Sequence, residues 1–241
     1  MTLIAITDDA TSRPWGRFRE EEDTEGYVHV FQRIVRQNGI PRAFYSDRDS
    51  VFKVNEKNQR PRRDPWFDEE PTTQFARMLT ELGVRMIFAN SPQAKGRVER
   101  FFDTAQDRLV SLLRLYDATT MRDANRVLDK YLPDYARRFG VPARSSDPAW
   151  FPWPDNLDPE NVFCLKFGRV LARNHTISLN GLTYDVPPDP THTRRPGRKL
   201  TVQRHFDGAV KVVDGPTQLA VFPPPRAPRK PASAAKPWWR Y

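Results

Sequence analysis

The spacing of apolar positions changes period several times along the chain, and each change marks a new element. Leu3-Ile4-Ala5-Ile6 is a short apolar run, followed by the polar cluster Asp8-Asp9-Ala10-Thr11-Ser12-Arg13. Pro14 to Arg19 then alternates, which predicts two strands joined as a hairpin. Val28, Phe31, Ile34 and Val35 recur at three-and-four spacing, predicting a helix from about Glu25 to Gln37 with Thr24 as its cap and Asn38-Gly39 as its end. Ala43-Phe44-Tyr45-Ser46 reads as a third strand. Thr72 or Thr73 opens a helix that turns Phe75, Met78, Leu79 and Leu82 inward and stops at Gly83. Val84 to Phe88 is the next strand. From Val98 the positions Phe101, Phe102, Ala105, Leu109, Leu112, Leu113 and Tyr116 predict a helix with one buried face. A further helix runs from Met121 to Phe139, with Ala124, Val127, Leu128, Tyr131 and Tyr135 on one face.

Past Gly140 the pattern shortens. Pro142, Pro148, Pro152, Pro154 and Pro159, with Trp150 and Trp153, mark a connector over 141–162. Short strands follow at Arg169–Ala172, Thr176–Leu179, Leu182–Val186, Leu200–His205, Val210–Val213 and Leu219–Phe222. Asn180-Gly181 and Asp207-Gly208 are hairpin turn signals between them. Many short strands with such turns predict a small β-barrel over 163–222. Residues 223–241 are rich in Pro and Ala and read as a disordered basic tail.

Composition narrows the classes of function. The chain has 241 residues, 38% of them hydrophobic and 12% aromatic, enough for one large domain or two smaller ones. No apolar run approaches the ~20 residues of a membrane span, and no secretory signal precedes the first strand. Cys164 is the single cysteine, which excludes an internal disulfide and a cysteine zinc cluster and fits a reducing cytosol. His29, His175, His192 and His205 show no ligand spacing.

The net charge of +9 is concentrated at one end. Residues 194–241 carry 11 Lys and Arg against 2 Asp, a balance of +9, whereas residues 1–193 hold 28 charges of each sign. The basic end is therefore the expected footprint for a polyanion. A basic tail without a specific partner has the same composition.

Two carboxylates stand out. Asp47 follows an apolar strand directly, and ligand-binding side chains gather at the carboxyl ends of strands in open α/β sheets. Glu99 sits at the start of a helix among Lys95, Arg97 and Arg100, where a carboxylate could face a cleft. A solvated, charged first turn explains the same residues, because an acid is favoured near the positive end of a helix.

Three stretches together resemble a known family. They are Asp8-Asp9-Ala10-Thr11-Ser12-Arg13, Tyr45-Ser46-Asp47-Arg48-Asp49-Ser50-Val51-Phe52, and Ser91-Pro92-Gln93-Ala94-Lys95-Gly96-Arg97-Val98-Glu99-Arg100. They are similar to the integrase-type catalytic core of insertion-sequence transposases, an α/β ribonuclease H-like fold, over roughly residues 3–140. The third stretch is the most specific. In that family three acids, Asp, Asp and Glu, bind two divalent metals. Asp47 matches the second and Glu99 the third, 52 positions apart, with the charged, Pro-rich 53–71 segment as an insertion between them. The family's first Asp lies on a strand before the one that opens this chain. Asp8 and Asp9 match a later turn and take no metal role. The resemblance therefore implies an N-terminally truncated core (1–140), a mixed sheet lacking its first, central strand.

The run Asn174-His175-Thr176-Ile177-Ser178-Leu179-Asn180-Gly181-Leu182-Thr183-Tyr184 resembles the C-terminal barrel of Mu-type transposases. Together the resemblances imply a polynucleotidyl transferase for DNA transposition, using Mg²⁺ or Mn²⁺ at Asp47 and Glu99. They imply a homo-oligomer on element ends and target DNA in the prokaryotic cytosol. Lys95, Arg97 and Arg100 are expected at the phosphates near the cut, and Arg194, Arg195, Arg198, Lys199 and Arg204 at phosphates along the barrel. Without the first Asp, the expectation is an inactive chain. The alternative is a non-enzymatic DNA-binding remnant acting through the barrel and through the tail, whose Trp238 and Trp239 could stack or dock.

Overall fold

The computed structural model describes residues 1–46, 51–52, 73–88, 96–147, 149–188 and 196–224. The chain divides into two compact units, Met1–Leu165 and Lys166–Tyr241. The expected insertion over 53–71 lies outside the described residues, as does nearly all of the tail, 225–241.

The first unit opens with β1 (Thr2–Thr7) and β2 (Pro14–Arg19), an antiparallel hairpin whose register runs from Thr2 opposite Arg19 to Thr7 opposite Pro14. Its turn is built around Asp8. The Asp8 backbone N–H donates to Arg13 O at 2.8 Å, and Asp8 O accepts from Ser12 N at 2.8 Å. The Asp8 carboxylate accepts from Ala10 N and from the Thr11 hydroxyl. Ser12 takes a left-handed backbone, φ 63°, unusual for a residue with a Cβ.

Helix α1 (Thr24–Asn38) follows. Its cap is Asp23, not the expected Thr24: the Asp23 carboxylate accepts from Gly26 N at 2.8 Å and is held by Arg19 at 2.7 Å. A carboxylate paired in this way satisfies an orphan N–H and favours the positive helix end. Gly26 lets the helix settle on the hairpin, since a Cβ there would lie 2.2 Å from Ile4 Cδ1. At the other end Gly39, at φ 96°, donates to Val35 O, and a Cβ on it would lie 2.4 Å from Phe151 O.

β3 (Ile40–Pro41) pairs antiparallel with β6 (Trp150–Phe151), so the expected connector holds a strand of its own. Trp150 meets Trp15 edge-on at 6.5 Å. β4 (Ala43–Ser46) pairs in parallel with β5 (Arg85–Phe88), Ala43 opposite Arg85 and Ser46 opposite Phe88. Between them in sequence lies α2 (Gln74–Glu81), capped by Thr73. Among the described residues the hairpin and the parallel pair are separate two-stranded sheets. Phe31 of α1 packs edge-on against Phe44 at 6.0 Å, Phe75 at 5.7 Å and Phe163 at 6.4 Å.

α3 (Gly96–Leu115) and α4 (Met121–Phe139) cover the hairpin. The buried face of α3 is narrower than its sequence predicts. Phe101, Ala105 and Leu109 are buried, but Phe102 and Tyr116 are 38% and 56% exposed. Spacing of four along one stripe places Phe101 edge-on to Tyr135 of α4 at 5.1 Å, while the helix also rests on β1. Asn125 of α4 accepts from Phe18 N at 2.9 Å and donates to Phe18 O at 3.2 Å, fixing the outer edge of β2. A short helix, α5 (Pro159–Val162), ends the connector.

The strands of the second part are β7 (Leu165–Val170), β8 (Thr176–Leu179), β9 (Leu182–Asp185), β10 (Lys199–Arg204), β11 (Val210–Asp214) and β12 (Thr217–Phe222). The sheet order is β12-β11-β10-β7, with β8-β9 as a separate hairpin. Among the described residues this ladder is open and not a closed barrel. The Asn180-Gly181 turn has positive φ at both residues, 51° and 79°, the geometry that matches strand twist. β7 starts earlier than the expected Arg169 and stops earlier, because His175 at φ 57° turns the chain back and Ala172 N bonds Thr176 O. Ile177 and Leu179 from the hairpin pack with Leu200, Val202, Val210 and Val212 from the sheet. No helix of the described residues is long and apolar enough to cross a membrane.

Two stability measurements test this packing. Phe31→Ala removes the ring shared by Phe44, Phe75 and Phe163, and should cost about 3–5 kcal/mol in chemical denaturation; a loss under about 1 kcal/mol would contradict the cluster. Burial pushes the His29 imidazole below its ordinary 6.5 despite the Glu25 carboxylate at 3.3 Å. A depressed histidine contributes stability that is present above the unfolded pKa and is lost as pH falls below it. The thermal midpoint should therefore drop more between about pH 7 and pH 5 in the natural sequence than in His29→Gln.

Candidate active site and nucleic-acid surface

Because β4 and β5 are parallel, both strands end at the same edge of their sheet. Ser46 ends β4 at that edge; Asp47, next in sequence, lies outside the described residues. Ser46 is buried, and its Oγ has no hydrogen-bond partner among them. Phe52, just beyond, packs on Phe44 and on Tyr27 near the start of α1. The chain leaving β5 leads through 89–95, also outside the described residues, into α3.

Glu99 stands in the first turn of α3 and is exposed. The helix explains this: Phe101, Ala105 and Leu109 point inward, and Glu99 lies about 200° around the axis from Phe101. Asp103, four residues on, is also exposed and shares the outer face with Glu99.

Arg97 behaves differently. It precedes Phe101 by four residues and so heads the buried stripe. Its Nη1 donates to the Ser12 hydroxyl at 2.7 Å, and its Nε lies 3.1 Å from Asp9 Oδ1. These partners are in the hairpin turn, Ser12 being 85 positions away in sequence. On the outer face of α3 the described structure thus sets Glu99 beside Asp103 and brings up no second expected catalytic carboxylate, while Arg97, Asp9 and Ser12 meet on the inward side. Arg100 is exposed and donates to Gly96 O at 2.9 Å. Lys95 lies outside the described residues. Among the described residues no three of His, Cys, Asp and Glu come together as a metal cluster.

A cavity of about 490 Å³ opens beside the hairpin turn, lined by Asp8, Arg13, Trp15, Asn38 and Trp150 among others. It includes neither Glu99 nor the end of β4.

In the second unit the predicted cations divide. Arg198 makes a bidentate pair with Asp214, at 2.6 and 2.9 Å; the carboxylate raises the Arg198 pKa further and neutralises its charge locally. Lys199 is exposed at the start of β10. Arg204 lies over the Phe167 ring at 5.9 Å. Arg169, which its place in the sequence did not single out, lies over the same ring at 5.5 Å and donates to Ser178 O and Gly168 O. Alternation within β7 would have placed it one strand away from Arg204 only if the sheet order were known. Arg194 and Arg195 lie outside the described residues.

No protein-family model matches the chain. It is 34% identical over 216 residues to a provisionally named transposase of Sinorhizobium fredii, y4bF; the match covers 88% of this chain and 45% of that protein. It is 32% identical over 184 residues to the transposase for insertion sequence IS1202 of Streptococcus pneumoniae, covering 76% of this chain and 38% of that protein. The chain spans less than half the length of these curated relatives. Over most of its own length, this chain is similar to proteins named as transposases of insertion sequences.

Proposed function

We propose that these 241 residues form part of an integrase-type transposase that cuts and joins DNA, contributing the second and third metal-binding acids, Asp47 and Glu99. The observation that carries the reading is the parallel β4–β5 pair: the segment bearing Asp47 and the segment leading to Glu99 leave one sheet edge together. The similarity to named transposases supports it.

Carboxylate oxygens suit a hard cation such as Mg²⁺ or Mn²⁺. Two carboxylates do not by themselves close a two-metal site, which in the family resembled takes three acids. When bound, such a metal pair would activate the attacking water or 3′-hydroxyl and stabilise the leaving oxygen. What the chain itself supplies is the placement of two acids and a surface for the duplex. In this reading the hairpin and the parallel pair are two halves of one ribonuclease H-like sheet, with the strand that carries the first acid between them. The open four-stranded sheet and its hairpin belong to a barrel that holds DNA, and the protein works as an oligomer on paired element ends.

Calorimetric titration with Mn²⁺ tests the acids. One weakly held ion per chain is expected, lost in both Asp47→Asn and Glu99→Gln. Binding unchanged by either substitution would sink the assignment. In the same preparation Mg²⁺ should support no cleavage of duplex DNA. Robust cleavage that Glu99→Gln abolishes would show that two acids suffice here.

A salt titration of duplex binding tests the surface. Affinity should fall steeply, with a log–log slope of about −0.9 per phosphate neutralised. Arg204→Ala should flatten the slope by about one phosphate, and Arg198→Ala by less, since Asp214 already pairs with it. A flat curve in the natural sequence would exclude DNA binding by the basic end. A steep curve with no Mn²⁺ binding would favour the non-enzymatic DNA-binding reading.

A further inference from the structure

We infer that Arg97 is a positioning residue for Glu99 and not a phosphate contact: with Asp9 and Ser12 it pins the first turn of α3 to the β1–β2 turn. The consequence for Glu99 rests on the function proposed above; the pin itself does not. Three observations combine. Arg97 lies on the inward stripe with Phe101, Ala105 and Leu109, where helical geometry turns a side chain toward the protein. Its guanidinium has two partners of different kinds, the Ser12 hydroxyl at 2.7 Å and the Asp9 carboxylate at 3.1 Å, which fixes direction as well as distance.

The receiving turn is itself braced. The two Asp8 backbone bonds at 2.8 Å close it, and Ser12 holds φ 63°. Val141, just past α4, donates its N–H to Thr11 O at 3.0 Å. A left-handed serine persists only where its surroundings over-determine it, so the hydroxyl is presented from a fixed point. Phe101 and Arg97 are one turn apart, one gripping the core and the other the hairpin turn. Together they set the rotation of α3 about its axis, and Glu99 lies between them in sequence on the outer side.

Amide hydrogen exchange over residues 96–104 of the full chain reads the pin directly. In Arg97→Gln and in Asp9→Asn the amides of residues 100–104, the first with helical acceptors, should exchange about two- to fivefold faster, the factor that a partly exposed ion pair is worth. The exchanged pair Asp9→Arg with Arg97→Asp should recover most of the protection. In metal-free buffer the salt slope of DNA binding should stay unchanged in Arg97→Gln, whereas Mn²⁺ affinity should fall and return in the exchanged pair. Exchange of the residue 100–104 amides at the natural rate in Arg97→Gln would overturn the pin. So would a salt slope flatter by about 0.9, the signature of one lost phosphate contact. If the natural sequence binds no Mn²⁺ at all, the metal reading fails while the exchange rates still decide the pin.

Discussion

Helix α1 is buried on two sides, and the first unit depends on it. The β1–β2 hairpin and the β4–β5 pair share no backbone ladder among the described residues, so no hydrogen-bonded sheet joins them. α1 does so by packing. Val30 and Ile34 meet Ile4 and Trp15 of the hairpin, while Phe31 meets Phe44 and Phe75 on the other side. Gly26 permits the first contact and Gly39 the turn into β3. A helix that is apolar over more than one stripe reads as a buried helix, and here that burial links the two small sheets. β4 is held in place by this aromatic packing, through Phe44 against Phe31 and Phe75.

The distribution of charge follows the same economy of partners. Several cations that composition would assign to nucleic acid already have internal partners. Arg97 is held by Asp9 and Ser12, Arg198 by Asp214, and Arg169 by two backbone carbonyls. A count of Lys and Arg overstates the field a polyanion would meet, because Arg97 and Arg198, paired with carboxylates, contribute dipoles in place of full charges, whereas Arg169, held by neutral carbonyls, keeps its charge. Arg204, over an aromatic ring, keeps its charge unneutralised by any described carboxylate.

Local order was legible in the sequence and long-range order was not. The helix Met121–Phe139 and the strands Pro14–Arg19 and Thr176–Leu179 fall where periodicity predicts, because each is delimited by its own caps and turns. Asn180-Gly181 carries its turn in its own conformational preferences. The cap of α1 was misplaced by one residue because Arg19 selects Asp23 over Thr24, a choice made across the end of β2. The pairing of β3 with β6, and the bonds from Asn125 to Phe18 107 positions away, leave no periodic trace. The same holds for Glu99. Its helix was readable, but its exposure and its Arg97 neighbour's inward orientation depend on which face α4 covers.

The Asn125 amide that grips Phe18 at both its N–H and its C=O makes the hairpin one-sided. A strand edge that offers free backbone groups recruits whatever extended chain is near. At β2 that offer is withdrawn at Phe18 by a side chain that imitates a neighbouring strand. Enlargement of this sheet is therefore polarised toward β1.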